Sequence, residues 1–255
     1  MKKKSANIII IIIICIVIIV VLSICLVMSK QESKNEIKEI DKKTAQEYID
    51  KLINTKTYNI LDNLKEEGLT DEIKLSLAIN STDNYEEIYT CNEAFTISSD
   101  YNGYRPVENE GFSCEDNEIK IRSYKYNDVL TSYRKLFGSI GNPKKGYTWG
   151  YDYSQKQNAY FKLSTNFGPV QDINYKYDIN SKEINDDRLT IDITYLSYYN
   201  KTINDEETYT TDLLEIDSFS KEKVEEIFNN NKDKLPHLTF TYINESDTYY
   251  LIDVK

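Results

Sequence analysis

The hydrophobic pattern of the chain opens with an apolar run over residues 8–28, almost all Ile, Val and Leu and without a charge. At about 1.5 Å of helical rise per residue, a run of this length reaches about 31 Å, which matches the hydrocarbon core of a bilayer. A single span in lipid has to be a helix, because only a helix satisfies its own backbone hydrogen bonds. The run therefore predicts one transmembrane helix.

The charges around this run predict its direction in the membrane. Three lysines at positions 2–4 precede it, and the positive-inside rule places residues 1–7 in the cytoplasm. Residues 29–43 are mostly polar and form a predicted stalk, and residues 44–255 form a predicted extracytoplasmic domain. We therefore expect a single-pass protein of the cell membrane, with its N-terminus cytoplasmic and its C-terminal domain outside.

Two alternatives to an uncleaved anchor remain. A cleaved signal peptide has an apolar region of only about 7–15 residues, and the one passable cleavage site here follows Ser29. A lipoprotein would be acylated at Cys25, but Ile24 stands where a lipoprotein signal has a small residue. The length of the run favours the anchor.

Helical periodicity dominates the first part of the predicted domain. A capping-box pattern at residues 44–47 starts an amphipathic helix over 45–54. A second helix is predicted over 60–67, ended by Gly68. The run 73–79 also alternates as a strand would, but the cap at Thr70 and the acids after it favour a helix. A longer helix is capped by Asn127 and ended by Gly138.

From Tyr147 onward the period changes to two, which is typical of strands. A short strand before the long helix and a series after it are predicted at 118–123, 147–153, 160–163, 173–179, 189–199, 208–216, 238–242 and 250–254. Polar turns separate them, including loops at 180–187 and 200–206, and Ser220 caps one more helix before the final hairpin. This order predicts an α+β fold with helices packed on a mostly antiparallel sheet, one face buried and the other in water.

The helices could also form a separate subregion over residues 44–117. We favour a single domain, because these helices need the sheet to bury their apolar faces. The chain shows no repeat and no βαβ rhythm.

Composition narrows the classes of partner. The net charge is −11, and without the three leading lysines the remaining 28 basic and 42 acidic side chains leave −14. A chain this acidic repels phosphate backbones, so we expect no nucleic-acid partner. The charge also serves to keep an exported domain soluble.

Two cysteines lie outside the apolar run, Cys91 and Cys114. An exported location permits a disulfide between them. Closing the loop between them would stabilise the fold by roughly 3 kcal/mol in the chain-entropy model. Two cysteines without a neighbouring histidine are more typical of a structural disulfide than of a redox pair.

Few residues carry a recognisable catalytic or metal-binding pattern. His237 is the one histidine, so zinc sites of the usual spacing are excluded and a hydrolytic triad would have to use it. There is no phosphate-binding glycine loop, no dinucleotide fingerprint and no nucleophile elbow, and we predict no cofactor. Acidic loops at 185–187 and 204–207 lack the spacing of a calcium loop and are predicted to be solvated turns.

One aromatic stripe is a candidate binding surface. It consists of Tyr147, Trp149, Tyr151 and Tyr153, with Tyr160 on the predicted partner strand. An exposed stripe would be a platform for a glycan or a peptide, and a stripe that faces the helices would be core. Alternating strands bury one face, which favours the core.

The functional hypothesis follows mainly from the predicted placement. We expect a membrane-anchored extracytoplasmic domain that binds or scaffolds at the cell surface without catalysis, with an envelope glycan or a membrane protein as partner. The alternative is a cell-envelope glycan hydrolase, which needs two carboxylates about 5–10 Å apart in a cleft. With 42 acidic residues, the sequence selects no pair.

Overall fold

A computed structural model describes residues 39–91, 95–98, 103–106, 118–148, 150–155, 157–162, 173–203 and 206–255. The predicted tail, anchor and most of the stalk lie outside these residues, as do Cys114 and Trp149. No helix within the described ranges is both long and apolar enough to cross a bilayer.

Three helices open the described chain, as the sequence predicts. They are α1 (Lys42–Ile53), α2 (Ile60–Glu67) and α3 (Asp71–Asn80). The bounds of α2 and its end at Gly68 are confirmed, and the Thr70 hydroxyl caps α3 by accepting from the Ile73 amide at 3.3 Å. The predicted cap of α1 is wrong. Asp41 holds the extended N-cap conformation, and its carboxylate accepts from the Thr44 amide at 2.9 Å.

A four-stranded antiparallel sheet and a separate hairpin follow. The four strands, in the order in which they pair, are β1 (Glu86–Cys91), β4 (Glu118–Lys125), β6 (Ala159–Lys162) and β5 (Tyr151–Ser154). The hairpin joins β2 (Phe95–Ser98) to β3 (Gly103–Pro106). Helix α4 (Tyr126–Phe137) leaves β4 directly and ends at Gly138 as predicted. Its predicted cap at Asn127 is wrong, because the helix begins at Tyr126 and Lys125 occupies the N-cap.

A six-stranded antiparallel sheet contains the second half of the chain. Its elements are β7 (Ile173–Asn185), β8 (Arg188–Ile203), β9 (Glu206–Thr211), β10 (Ile216–Phe219), helix α5 (Val224–Asn230), β11 (His237–Glu245) and β12 (Thr248–Val254). Strand β8 is central: its first half pairs with β11 and its last residues pair with β9, while β7 pairs along its opposite edge. The predicted final hairpin is confirmed.

Two loop predictions and one strand prediction in this sheet are wrong. Residues 180–185 continue β7 beyond a bulge between Ile179 and Ser181, and the turn to β8 contains only Asp186 and Asp187. Asp186 takes the left-handed φ of 56° that such a tight turn requires. In the predicted loop at 200–206, residues 200–203 belong to β8 and Glu206 begins β9. The predicted strand over 208–216 is instead two strands, separated by a turn. Polar residues in an edge strand resemble a loop in sequence, which explains the first error.

The main core lies between the helices and one face of the large sheet. Apolar side chains of all of α1–α4 share one cluster with β8 and β11 residues, among them Ile193 and Phe240, both fully buried. Residues 39–255 form one compact unit. On the other face, α5 covers one end of the sheet, where Phe228 packs on Leu196. The prediction of an α+β fold is confirmed, with five helices and two main antiparallel sheets in the described residues.

Candidate functional site

A cleft of about 380 Å³ opens between α2 and the β9–β10 end of the large sheet. Its walls come from the segment 58–66, the start of β7, the second half of β8 and the turn at 212–213. Helical spacing explains the first wall, because Asp62, Lys65 and Glu66 share one side of α2 while its apolar residues face the core. The cleft falls within the size range of pockets that hold small ligands.

Tyr195 fixes the carboxylate of Asp62 at the inner wall. Tyr195 is fully buried on β8, and its hydroxyl donates to Asp62 Oδ1 at 2.7 Å. Burial, with the nearby Asp62 charge, raises the pKa of Tyr195 well above its ordinary value, so the phenol keeps its proton and remains a donor. The other Asp62 oxygen is left to accept from a ligand.

Tyr199 contacts a second carboxylate, but this pair is more exposed than Tyr195 and Asp62. It follows Tyr195 by four residues along β8, so both side chains lie on the same face of the sheet. Its hydroxyl donates to Asp212 Oδ1 at 2.9 Å. That hydrogen bond, followed by desolvation, raises the pKa of Tyr199. Two tyrosines four residues apart on one strand thus bind two acids, Asp62 and Asp212, that are distant from each other along the chain.

The lining of the cleft is acidic and has an aromatic side chain among it. Asp62, Glu66 and Asp212 contribute three carboxylates against the one ammonium of Lys65, which gives a net charge of −2. Tyr58 also lines the cleft, and 59% of its surface is exposed. An accessible ring beside fixed acceptors suits a ligand that is rich in hydroxyl or amine donors and has a face that can stack.

The sequence-predicted aromatic stripe lies elsewhere and is split. Tyr151 is buried, and its hydroxyl donates to Asn80 Oδ1 at 2.8 Å. Tyr153 is half-buried and packs on Tyr160 with ring centroids 5.0 Å apart. Tyr147 is half-buried and precedes the strand β5, and Trp149 lies outside the described residues. Among the described tyrosines of the stripe, Tyr151 therefore belongs to the core, while Tyr147 and Tyr153 are only half-buried.

His237 begins β11 on the face of the sheet away from the main core. Its Nδ1 lies 3.9 Å from Asp192 Oδ2 and 3.4 Å from the hydroxyl of Thr194. A histidine between an acid and a hydroxyl has the composition of a hydrolytic triad. Thr194 is fully buried, however, so no substrate reaches its hydroxyl. These side chains form a polar cross-strand cluster.

The remaining sequence candidates add no site among the described residues. There, no group of three or more His, Cys, Asp and Glu side chains is arranged to hold a metal ion. Asp186 and Asp187 form the tight β7–β8 turn. The proposed Cys91–Cys114 bridge stays a prediction, because Cys114 lies outside the described residues.

No protein-family model, no curated protein and no solved structure matches the chain. The cleft residues were not singled out from the sequence, because they come from four segments up to 155 positions apart, between Tyr58 and Leu213. The sequence signal for this cleft was limited to Tyr195 and Tyr199. The alternating pattern of the predicted strand put both tyrosines on one face but did not indicate which acids they would bind.

Proposed function

We propose that the chain is a single-pass membrane-anchored protein whose extracytoplasmic domain binds a ligand at the cell surface without catalysis. The apolar run at 8–28, with its leading lysines, supports the anchor and its direction. The acidic charge of the rest of the chain supports an exported, soluble domain that does not bind nucleic acid.

The cleft beside α2 is the proposed binding site. The observation that carries this proposal is the pair of carboxylates, Asp62 and Asp212, each fixed by a tyrosine hydroxyl and facing one concave surface. Fixed acceptors lose little conformational entropy when they bind, which is what a binding site needs. With Tyr58 to stack on a sugar ring, the ligand class that fits best is an envelope glycan.

A glycan hydrolase is the second candidate, because three carboxylates line one cleft. Hydrolysis needs one carboxyl to donate a proton to the leaving group. Asp62 and Asp212 both accept hydrogen bonds from tyrosines, which suits groups that hold a ligand, and Glu66 is left as the candidate proton donor of a hydrolase. Binding is the leading proposal because two of the three carboxylates are already held as acceptors.

Titration of the full chain in detergent with soluble fragments of β-1,4-linked N-acetylated amino sugars tests both functions. We expect saturable binding by calorimetry and no release of new reducing ends. Asp62→Asn and Asp212→Asn should each weaken binding at least tenfold, whereas Asp83→Asn, an exposed acid outside the cleft, should not. Release of reducing ends that Asp62→Asn abolishes would establish the hydrolase instead.

The anchor has its own test. Mass spectrometry of the mature chain should find the intact N-terminal region, and protease added to intact cells should digest the domain. A mature N-terminus just after Ser29 would show a secreted protein.

A further inference from the structure

Strand β7 is an edge of the six-stranded sheet. Among the described strands it pairs only with β8. A groove of about 630 Å³ runs between α1 and α5 at this edge, and five consecutive residues, 175–179, line it. Since strand side chains alternate between two faces, a groove lined by five in a row follows the edge of the backbone.

Two lysines from opposite layers of the fold meet one acid at this edge. Tyr177 lies on the α1 face, where its hydroxyl donates to Asp50 of α1. Asp178, the next residue, therefore lies on the α5 face. Lys42 of α1 nevertheless reaches Asp178 Oδ1 at 3.0 Å, so this ion pair passes around the edge of β7 that no described strand pairs with.

Lys232, just after α5, completes the arrangement by reaching Asp178 Oδ2 at 2.6 Å. Lys232 and then Lys42 hold the pKa of the Asp178 carboxyl down, to about 2. We name the three side chains Lys42, Asp178 and Lys232 the edge clasp. Other charges nearby are Lys176, which pairs with Glu225 of α5, and Asp50.

An open strand edge pairs readily with another strand unless charges or cover prevent it. The edge clasp lies across such an edge. We propose that β7 is a self-association surface that the edge clasp keeps closed, and that on opening it pairs antiparallel with β7 of a second copy of the chain.

The charge pattern of β7 identifies the second copy as the occupant. In a two-fold antiparallel register centred on Tyr177, Lys176 of each copy opposes Asp178 of the other. In the same register Tyr175 opposes Ile179, the last residue before the bulge of β7. Opposite charges therefore face each other, and apolar side chains face each other, as an isologous interface requires.

The two ion pairs of the edge clasp are exposed enough to break at a small cost in free energy. The side chains of Lys42 and Lys232 are 66% and 41% exposed, and that of Asp178 is 35% exposed. Ion pairs this exposed are weak and are screened by salt.

Sedimentation equilibrium of the full chain in density-matched detergent tests the proposal. The Lys42→Gln/Lys232→Gln variant opens the clasp and leaves Asp178 free, so its dimer dissociation constant should fall at least tenfold below that of the unaltered chain. Lys43→Gln/Lys234→Gln removes the same charge from neighbouring positions and should behave like the unaltered chain. Hydrogen exchange should show new protection at 173–180 only in the dimer.

A third variant tests the register. Adding Lys176→Glu to the clasp-open chain sets two acids opposite each other and should restore the monomer. The proposal is overturned if the clasp-open chain associates no more tightly than the unaltered chain or the lysine control. The proposal is equally overturned if the dimer of the clasp-open chain leaves residues 173–180 unprotected from exchange, or if that dimer persists after Lys176→Glu. Lys42→Gln alone, the milder change, should shift the constant in the same direction if the double variant folds poorly.

Discussion

Raising the pH is the perturbation for which the structure makes the sharpest stability prediction. Burial is the largest cause of a pKa well above the ordinary value at six tyrosines: Tyr151, Tyr160, Tyr175, Tyr177, Tyr195 and Tyr242. A group whose folded pKa is raised adds stability that is complete below its unfolded pKa and is lost as the pH rises above it. For tyrosine the unfolded value is about 10.

The size of the effect follows from the number of buried phenols. At pH 11, each unfolded tyrosine is stabilised by ionisation by about 1.4 kcal/mol, so six together lower the free energy of unfolding by about 8 kcal/mol. Domains are commonly stable by about 5–15 kcal/mol. We therefore expect cooperative unfolding between about pH 11 and pH 12.

Two optical signals measured on the same samples test this reasoning. Tyrosinate absorbance at 295 nm should rise for these six residues only together with the loss of far-ultraviolet circular dichroism. At alkaline pH, Tyr195→Phe should reduce the fall in the free energy of unfolding from about 8 to about 7 kcal/mol per pH unit. Tyr58→Phe, at an exposed tyrosine, is the matched control and should leave this slope unchanged. Full ionisation near pH 10 with an unchanged dichroism spectrum would refute the argument.

Three further perturbations test the stability at low pH, the packing of the core and the cap of α3. Asp178 has a pKa lowered to about 2 from 3.8, so it adds stability above pH 4 that is lost as the pH falls towards 2. Because Asp178 is partly exposed, Asp178→Asn should lower the free energy of unfolding in urea by no more than about 1 kcal/mol at pH 7, and by progressively less as the pH falls towards 2. Phe240→Ala, at a fully buried site, should cost about 3–5 kcal/mol, and an effect below 1 kcal/mol would contradict the packing. Thr70→Ala should cost roughly 1 kcal/mol by removing the cap of α3, whereas Thr70→Ser should retain most of it.

Local signals predicted most of the elements, because each depends on neighbouring residues. The end of α2 at Gly68 and the final hairpin need only a residue that tolerates φ > 0 or a short polar turn. The errors occur where contacts between distant segments determine whether a residue lies in a strand or in a loop. Residues 180–185 are polar apart from Ile184, yet they continue β7 because residues 188–192 of β8 pair with residues 181–185.

The cleft could not be derived from the sequence for a related reason. Its two aspartates belong to α2 and to the β9–β10 turn, and only the folded β8 brings a tyrosine to each. An alternating Tyr pattern indicates a buried strand face and carries no information on which hydroxyl meets which acid. The edge clasp depends likewise on three elements that are distant along the chain.

The most direct test of ligand binding in the cleft is a hydrogen-exchange footprint on the full chain. We predict that saturating amino-sugar oligomers slow exchange at residues 58–66, 197–199 and 212–213, and that Asp62→Asn/Asp212→Asn abolishes this change. Protection confined to another surface, or the same protection in the doubly substituted chain, would contradict the account.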